Sequence, residues 1–177
     1  MTSHRDLVEL FGETNVTTWS YSELRKIGLA PGSAHALSDV GLPQNTANVF
    51  TTQVEGAPSM FSVHEFQLGD EPVKILILGG PPGDQQMRYF LDVNDGVIGL
   101  FNLAEGRRQV EVINSTIHEF ITFLHLYGDY SNKSSMATPG ERRELTRRLS
   151  GRLKEQDSFA FDQPDSWWSV AIEQLRS

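Results

Sequence analysis

The stretch that decides the fold is Tyr89–Leu103, YFLDVNDGVIGLFNL. Two runs rich in aromatic and branched residues, Tyr89–Val93 and Val97–Leu103, flank Asn94-Asp95-Gly96. Asp-Gly supplies the positive φ angles of a tight turn, so the stretch predicts a β-hairpin. Just upstream, Val73–Leu78 (VKILIL) is nearly uniformly apolar, as a central strand should be. Farther upstream, Phe61, Val63 and Glu65 alternate with Ser62, His64 and Phe66, which leaves one face only partly polar. Gln109–Ile113 can add a further strand downstream. The middle of the chain is therefore read as a sheet.

Helical signals surround it. Thr116 followed by Glu119 has the spacing of a capping box, and Ile117, Phe120, Ile121, Leu124 and Tyr127 recur at helical intervals. Residues 141–155 carry Leu145, Leu149 and Leu153 on one side. Asp165 is placed to cap a third helix with Trp168, Ile172 and Leu175 as its buried stripe. The polar segment Gly128–Gly140 reads as a mobile loop. Before the sheet, His4–Phe11 is a short helix stopped by Gly12, Val16–Tyr21 reads as extended, and Ser33–Val40 is one or two helical turns ended by Gly41-Leu42-Pro43. The expectation is a single α+β domain over residues 1–177: a central, mostly antiparallel sheet with short N-terminal helices and C-terminal helices packed around it.

Composition narrows the chemistry. The 177 residues contain no cysteine. That excludes disulfides, a thiolate nucleophile, iron–sulfur clusters and cysteine-ligated zinc. The cysteine pair of the zinc deaminases is likewise missing. No apolar run approaches the length of a membrane span, so a soluble, cytoplasmic protein is expected. The net charge is −8. Residues 1–105 hold 13 acidic and 5 basic side chains, whereas residues 106–177 hold 10 of each. The whole excess thus belongs to the first part of the chain. There Glu55, Glu65, Asp70, Glu71, Asp84, Asp92 and Asp95 are opposed only by Lys74 and Arg88. Such a field disfavours nucleic acid and anionic membrane and favours a cationic partner. An acidic excess of this size is also what keeps many proteins soluble. These seven residues are nevertheless the candidate partner-binding set.

Each catalytic pattern in the chain lacks a residue or a spacing that its chemistry needs. Gly79-Gly80-Pro81-Pro82-Gly83-Asp84 follows a strand, as a phosphate loop would, but carries Asp where a phosphate loop needs Lys. Its two prolines also remove backbone donors. His118 and His125 lie seven residues apart, about 10 Å along a helix, too far to share one ion unaided. Asp92 and Asp95 flank a turn, where aspartate is a common turn former. The basic helix ERRELTRRLSGRLK sets Arg143, Arg147 and Lys154 opposite its leucines, the ordinary pattern of a solvated face; contact with nucleic-acid phosphates, which no aromatic interleaving supports, and pairing with the acidic first part are equal alternatives. No catalytic, cofactor or metal residues are assigned.

The order of features carries a resemblance. DVGLP (Asp39–Pro43), Phe50, FLDVNDGVIGL (Phe90–Leu100), INSTIHEFITFLHLY (Ile113–Tyr127) and the closing LSGRLKEQDSFAFDQPDSWW (Leu149–Trp168) together resemble the SUKH superfamily of bacterial immunity proteins, in particular its fourth subgroup. The family often places Pro after the aspartate represented by Asp157, where this chain has Ser158. The resemblance implies an α+β domain with no enzymatic activity. It implies a protein that binds and neutralises a cognate toxin of a polymorphic toxin system, often a nuclease or nucleic-acid deaminase with a basic groove. The alternative is a general intracellular interaction or regulatory module of the same fold, without a toxin.

Overall fold

The computed structural model describes residues 1–68, 71–102 and 109–176; of Leu68, Glu71 and Gln109 it describes the backbone alone. The expected hairpin is present. β7 (Met87–Asp92) and β8 (Ile98–Asn102) pair antiparallel, with Leu91 opposite Ile98. With β5 (Val63–Leu68), β6 (Glu71–Gly79) and β9 (Gln109–Asn114) they form a five-stranded antiparallel sheet in the order β5-β6-β7-β8-β9. Leu76, Leu78, Tyr89, Leu91 and Leu100 face the main core. Ile75, Ile77, Phe90 and Phe101 form a smaller buried cluster on the other face. A strand buried on both sides loses its alternation, which is why VKILIL reads as a continuous apolar run.

The helices lie on the main-core side. α4 (Ile117–Ser134) runs beyond the expected end at Tyr127, so Gly128–Ser134 is helical and not a loop. Packing overrides the polar composition there, because Tyr127 and Tyr130 continue the buried stripe. Gly128 is a contact, not a breaker: the Phe11 ring of α1 (His4–Phe11) lies against it, and a Cβ would come within 2.6 Å of that ring. Gly128→Ala is therefore expected to lose roughly 1–2 kcal/mol to overpacking despite alanine's better helix propensity. Thermal unfolding of the variant checks this.

Caps explain most of the remaining boundaries. Thr116 Oγ1 accepts from Glu119 N at 3.3 Å. The expected return bond is absent, since Glu119 Oε2 is buried without a partner among the described residues. A complete capping box opens α5 (Pro139–Gln156) instead, between Thr138 and Glu141. α6 (Trp167–Gln174) is not capped by Asp165. Its first N–H, on Trp167, donates at 2.7 Å to Glu111 Oε1, which β9 delivers across 56 residues of sequence. A carboxylate there suits the positive end of the helix dipole. In the N-terminal part, Val16–Tyr21 is extended only over β1 (Val16–Thr17), which pairs with β2 (Leu42–Pro43). Tyr21 already opens α2 (Tyr21–Ile27), whose Leu24 is buried. The expected turns at Ser33–Val40 comprise the end of α3 (Pro31–His35) and a π-helical turn, Ala36–Val40. A second small ladder joins β3 (Asn45–Thr46) to β4 (Phe50–Thr51).

A buried polar knot ties the two halves together. Asp157, at the end of α5, accepts from Asn114 Nδ2 at 3.1 Å, Ser115 N at 2.8 Å and Ser115 Oγ at 2.8 Å. Trp168 Nε1 donates to Asn114 Oδ1 at 2.9 Å. The end of α5, the junction of β9 with α4, and α6 thus meet at one carboxylate.

On the solvent face of α5, Glu144 accepts from Arg147 and Arg148. Those bonds hold its carboxyl down at about 2, against an ordinary glutamate value of about 4.3. The stabilisation is complete above the ordinary value and is lost as pH falls toward about 2. Glu144→Gln is therefore expected to flatten the fall of Tm with pH in that window and to leave Tm at neutral pH little changed, because the pair is solvent-exposed.

Candidate partner-binding surface

The acidic candidates divide into groups. Glu55 lies in the segment between β4 and β5, exposed, within hydrogen-bond reach of Gln85 at 3.4 Å. Asp84 is nearby but half-buried, because its Oδ1 accepts from Gln86 N and Met87 N. These two sit at the end of the sheet where β7 begins. Asp92 and Asp95 sit at the other end, where β7 stops. The five residue steps of β7 separate the ends by about 17 Å, about two Debye lengths at physiological salt. The candidates therefore do not form one continuous field.

Asp92 is a correction in its own right. It is only 8% exposed, and its Oδ1 accepts from Asn94 N at 2.8 Å and Asp95 N at 2.9 Å. Its carboxylate holds the hairpin turn and offers little surface to a partner. Its sequence signal was its place two residues before Asn94, the spacing at which an aspartate side chain accepts from the backbone of a turn. Asp95 is exposed. Glu65 is exposed on edge strand β5, directly opposite Lys74 on β6. Asp70 lies outside the described residues, and of Glu71 only the backbone is placed, opposite Leu68.

The two cations of this segment do not neutralise it by pairing. Lys74 Nζ donates to the Ile27 carbonyl at the end of α2, at 2.6 Å. Arg88 is fully buried. It donates from Nε to Pro58 O at 3.1 Å, from Nη1 to Met87 O at 2.8 Å and from Nη2 to Glu55 O at 2.6 Å. Burial pulls its pKa down, yet a guanidinium stays charged across the physiological range. Arg88 therefore clamps the segment carrying Glu55 onto the sheet while leaving the Glu55 carboxylate outside. Neither role was legible beforehand, although a lone Lys inside VKILIL signals that the strand must find it a partner.

The loop Gly79–Asp84 is structural. Gly80 exchanges two backbone hydrogen bonds with Thr51, at 2.8 and 3.0 Å. A Cβ on Gly79 would collide with the Thr51 carbonyl, and its φ is +151°. Ser62 and His64 are in contact at 2.7 Å. Ser62 Oγ already donates to Ser59 O at 2.6 Å, so His64 Nε2 must carry the proton and donate. That is the wrong polarity for a histidine activating a serine. No group of three or more potential metal ligands clusters among the described residues. The basic side chains Arg147 and Arg148 pair within α5, on Glu144, and not with the acidic first part.

The family model for the SUKH-4 immunity protein matches residues 2–174, nearly the whole chain. The chain belongs to the SUKH-4 immunity protein family. The SUKH-4 role is immunity, the neutralisation of a toxin, and such proteins are in general not enzymes. A SUKH-4 protein thereby has a cognate toxin as its partner. No curated protein and no solved structure matches the chain. No helix among the described residues is long and apolar enough to cross a membrane.

Proposed function

We propose that this protein neutralises a toxin domain that acts on nucleic acid, a nuclease or a nucleic-acid deaminase, by occupying its basic groove without any chemistry of its own. The supporting observation is that Lys74 and Arg88 spend their charge on backbone carbonyls, while Glu55, Glu65 and Asp95 stay exposed. A toxin that grips phosphates needs a cationic groove, and carboxylates can stand in for those phosphates with electrostatic steering. The protein works in the cytoplasm as a single domain with no cofactor, and binds neither nucleic acid nor membrane. Because the acidic groups occupy two ends of the sheet, the Glu55–Asp84 end and the Asp95 end contribute separately.

Co-expression with the toxin encoded beside it should yield a stable, inactive complex; free toxin activity in that mixture overturns the proposal. Association is expected to slow by ten-fold or more between about 50 and 500 mM salt. Charge reversal at Glu55 or at Asp95, measured by stopped-flow, should identify the end that steers encounter. An on-rate indifferent to salt and to both reversals would remove the acidic surface from the mechanism.

A further inference from the structure

A cavity of about 530 Å³ opens between the C-terminal half of α4, the first turns of α5 and the segment following α6. Arg142, Arg143 and Arg176 line it with Asn48, Tyr127 and Leu175, and no described lining residue is acidic. The other guanidiniums of α1 and α5 that form ion pairs do so with a neighbouring glutamate: Arg5 with Glu9, Arg147 and Arg148 with Glu144. Of the lining arginines, Arg176 likewise pairs with a neighbouring glutamate, Nη1 to Glu173 Oε2 at 3.0 Å, whereas Arg142 reaches only the Ala137 carbonyl, at 3.5 Å. Arg143 has no hydrogen-bond or ion-pair partner among the described residues. Tyr127 donates its hydroxyl to Asn48 Oδ1 at 3.1 Å, which leaves the Asn48 amide N–H groups to donate elsewhere.

Arg142 and Arg143, neither of them ion-paired among the described residues, put a positive potential on this concavity beside the Arg176–Glu173 pair, against the sign of the chain's net charge of −8. Planar guanidiniums match phosphate oxygens two at a time, a geometry that an ammonium does not offer. The volume lies within the range of about 300–1,000 Å³ typical of small-molecule sites. The tyrosine and leucine surfaces supply an apolar wall beside the charge. We propose that this cavity binds a small phosphate monoester of nucleoside-monophosphate size, its phosphate held by Arg142 and Arg143 and its remainder against Tyr127 and Leu175. The site is distinct from the acidic surface and does not depend on the toxin reading.

The test titrates the full-length protein with AMP, with inorganic phosphate and with adenosine, followed by ¹H–¹⁵N spectra and by Tm. AMP is expected to bind saturably and raise Tm, inorganic phosphate to bind more weakly at the same resonances, and adenosine not to bind. Arg142→Gln with Arg143→Gln should weaken AMP by at least about ten-fold. Both side chains are exposed, so the variant should keep its unfolding temperature without ligand and its neutralisation of the toxin. Vesicles containing phosphatidic acid present the same monoester on a bilayer and are expected not to bind. Three results would each overturn the proposal: no saturable binding of AMP or phosphate up to about 10 mM, where affinity falls below the weakest useful range; AMP binding unchanged in the double variant; or vesicle binding without AMP binding.

Discussion

Arg88→Met is expected to cost about 3 kcal/mol and to lower Tm by roughly 6–12 °C for a domain of this size. The substitution keeps an unbranched apolar stem but removes all three donors from the carbonyls of Glu55, Pro58 and Met87. Each acceptor left unmet in a buried place costs about 1–3 kcal/mol, moderated where water can enter. The loss should be local as well as global. Arg88 holds the middle of the segment between β4 and β5, whose far end bonds to Ile77 through Phe61 and Ser62, so limited proteolysis should cut between residues 52 and 60 before the core unfolds. If Glu55 meets the toxin, Arg88→Met slows association as strongly as Glu55→Lys while Asp95→Lys does not. A variant with unchanged Tm and unchanged proteolysis would show that Arg88 is no clamp.

The second large effect is expected at Asp157. Asp157→Ala removes an acceptor shared by three donors, and should cost about 3–4 kcal/mol with a corresponding fall in Tm. Asp157→Asn should cost only about 1 kcal/mol. Its amide oxygen can accept from Asn114 and Ser115 N, while its NH₂ group can donate to Ser115 Oγ, a hydroxyl that accepts as readily as it donates. Trp168 reports the difference, because its indole donates to Asn114 in the same knot. Its emission should shift toward the red in the alanine variant and stay in place in the asparagine variant. Equal losses in both would mean that charge, not hydrogen bonding, holds the knot.

The two positions also mark where sequence reading stops. The sheet was legible because strand signals are local: Asp95-Gly96 sets the turn, and the runs beside it lie within a few residues. α1 was legible for the same reason, with Gly12 stopping it, although the Ser3 cap that opens it was not read. What escaped was every feature made by distant partners. α4 passes through Gly128 because Phe11, more than a hundred residues earlier, fills the space a side chain would need. α6 takes its capping carboxylate from Glu111 and not from adjacent Asp165. In the candidate surface, charge counting treated Asp92 and Asp95 alike, yet one is sealed into the turn and the other faces solvent. Counting also set Lys74 and Arg88 against the acids, whereas backbone carbonyls receive both. Residue type predicts charge; only the fold decides whether a neighbour or a partner meets it.

The order β5-β6-β7-β8-β9 has a kinetic consequence. Each strand of the main sheet pairs with the one made just before it, so no pairing waits for a remote segment to be synthesised. Early contacts close short loops at little entropic cost, and such topologies fold quickly. The sheet can be assembled as the polypeptide leaves the ribosome, with α4 to α6 sealing it last. For a protein whose task is to meet a toxin before the toxin meets its target, the time from translation to a competent surface matters as much as affinity, and this meander keeps that time short.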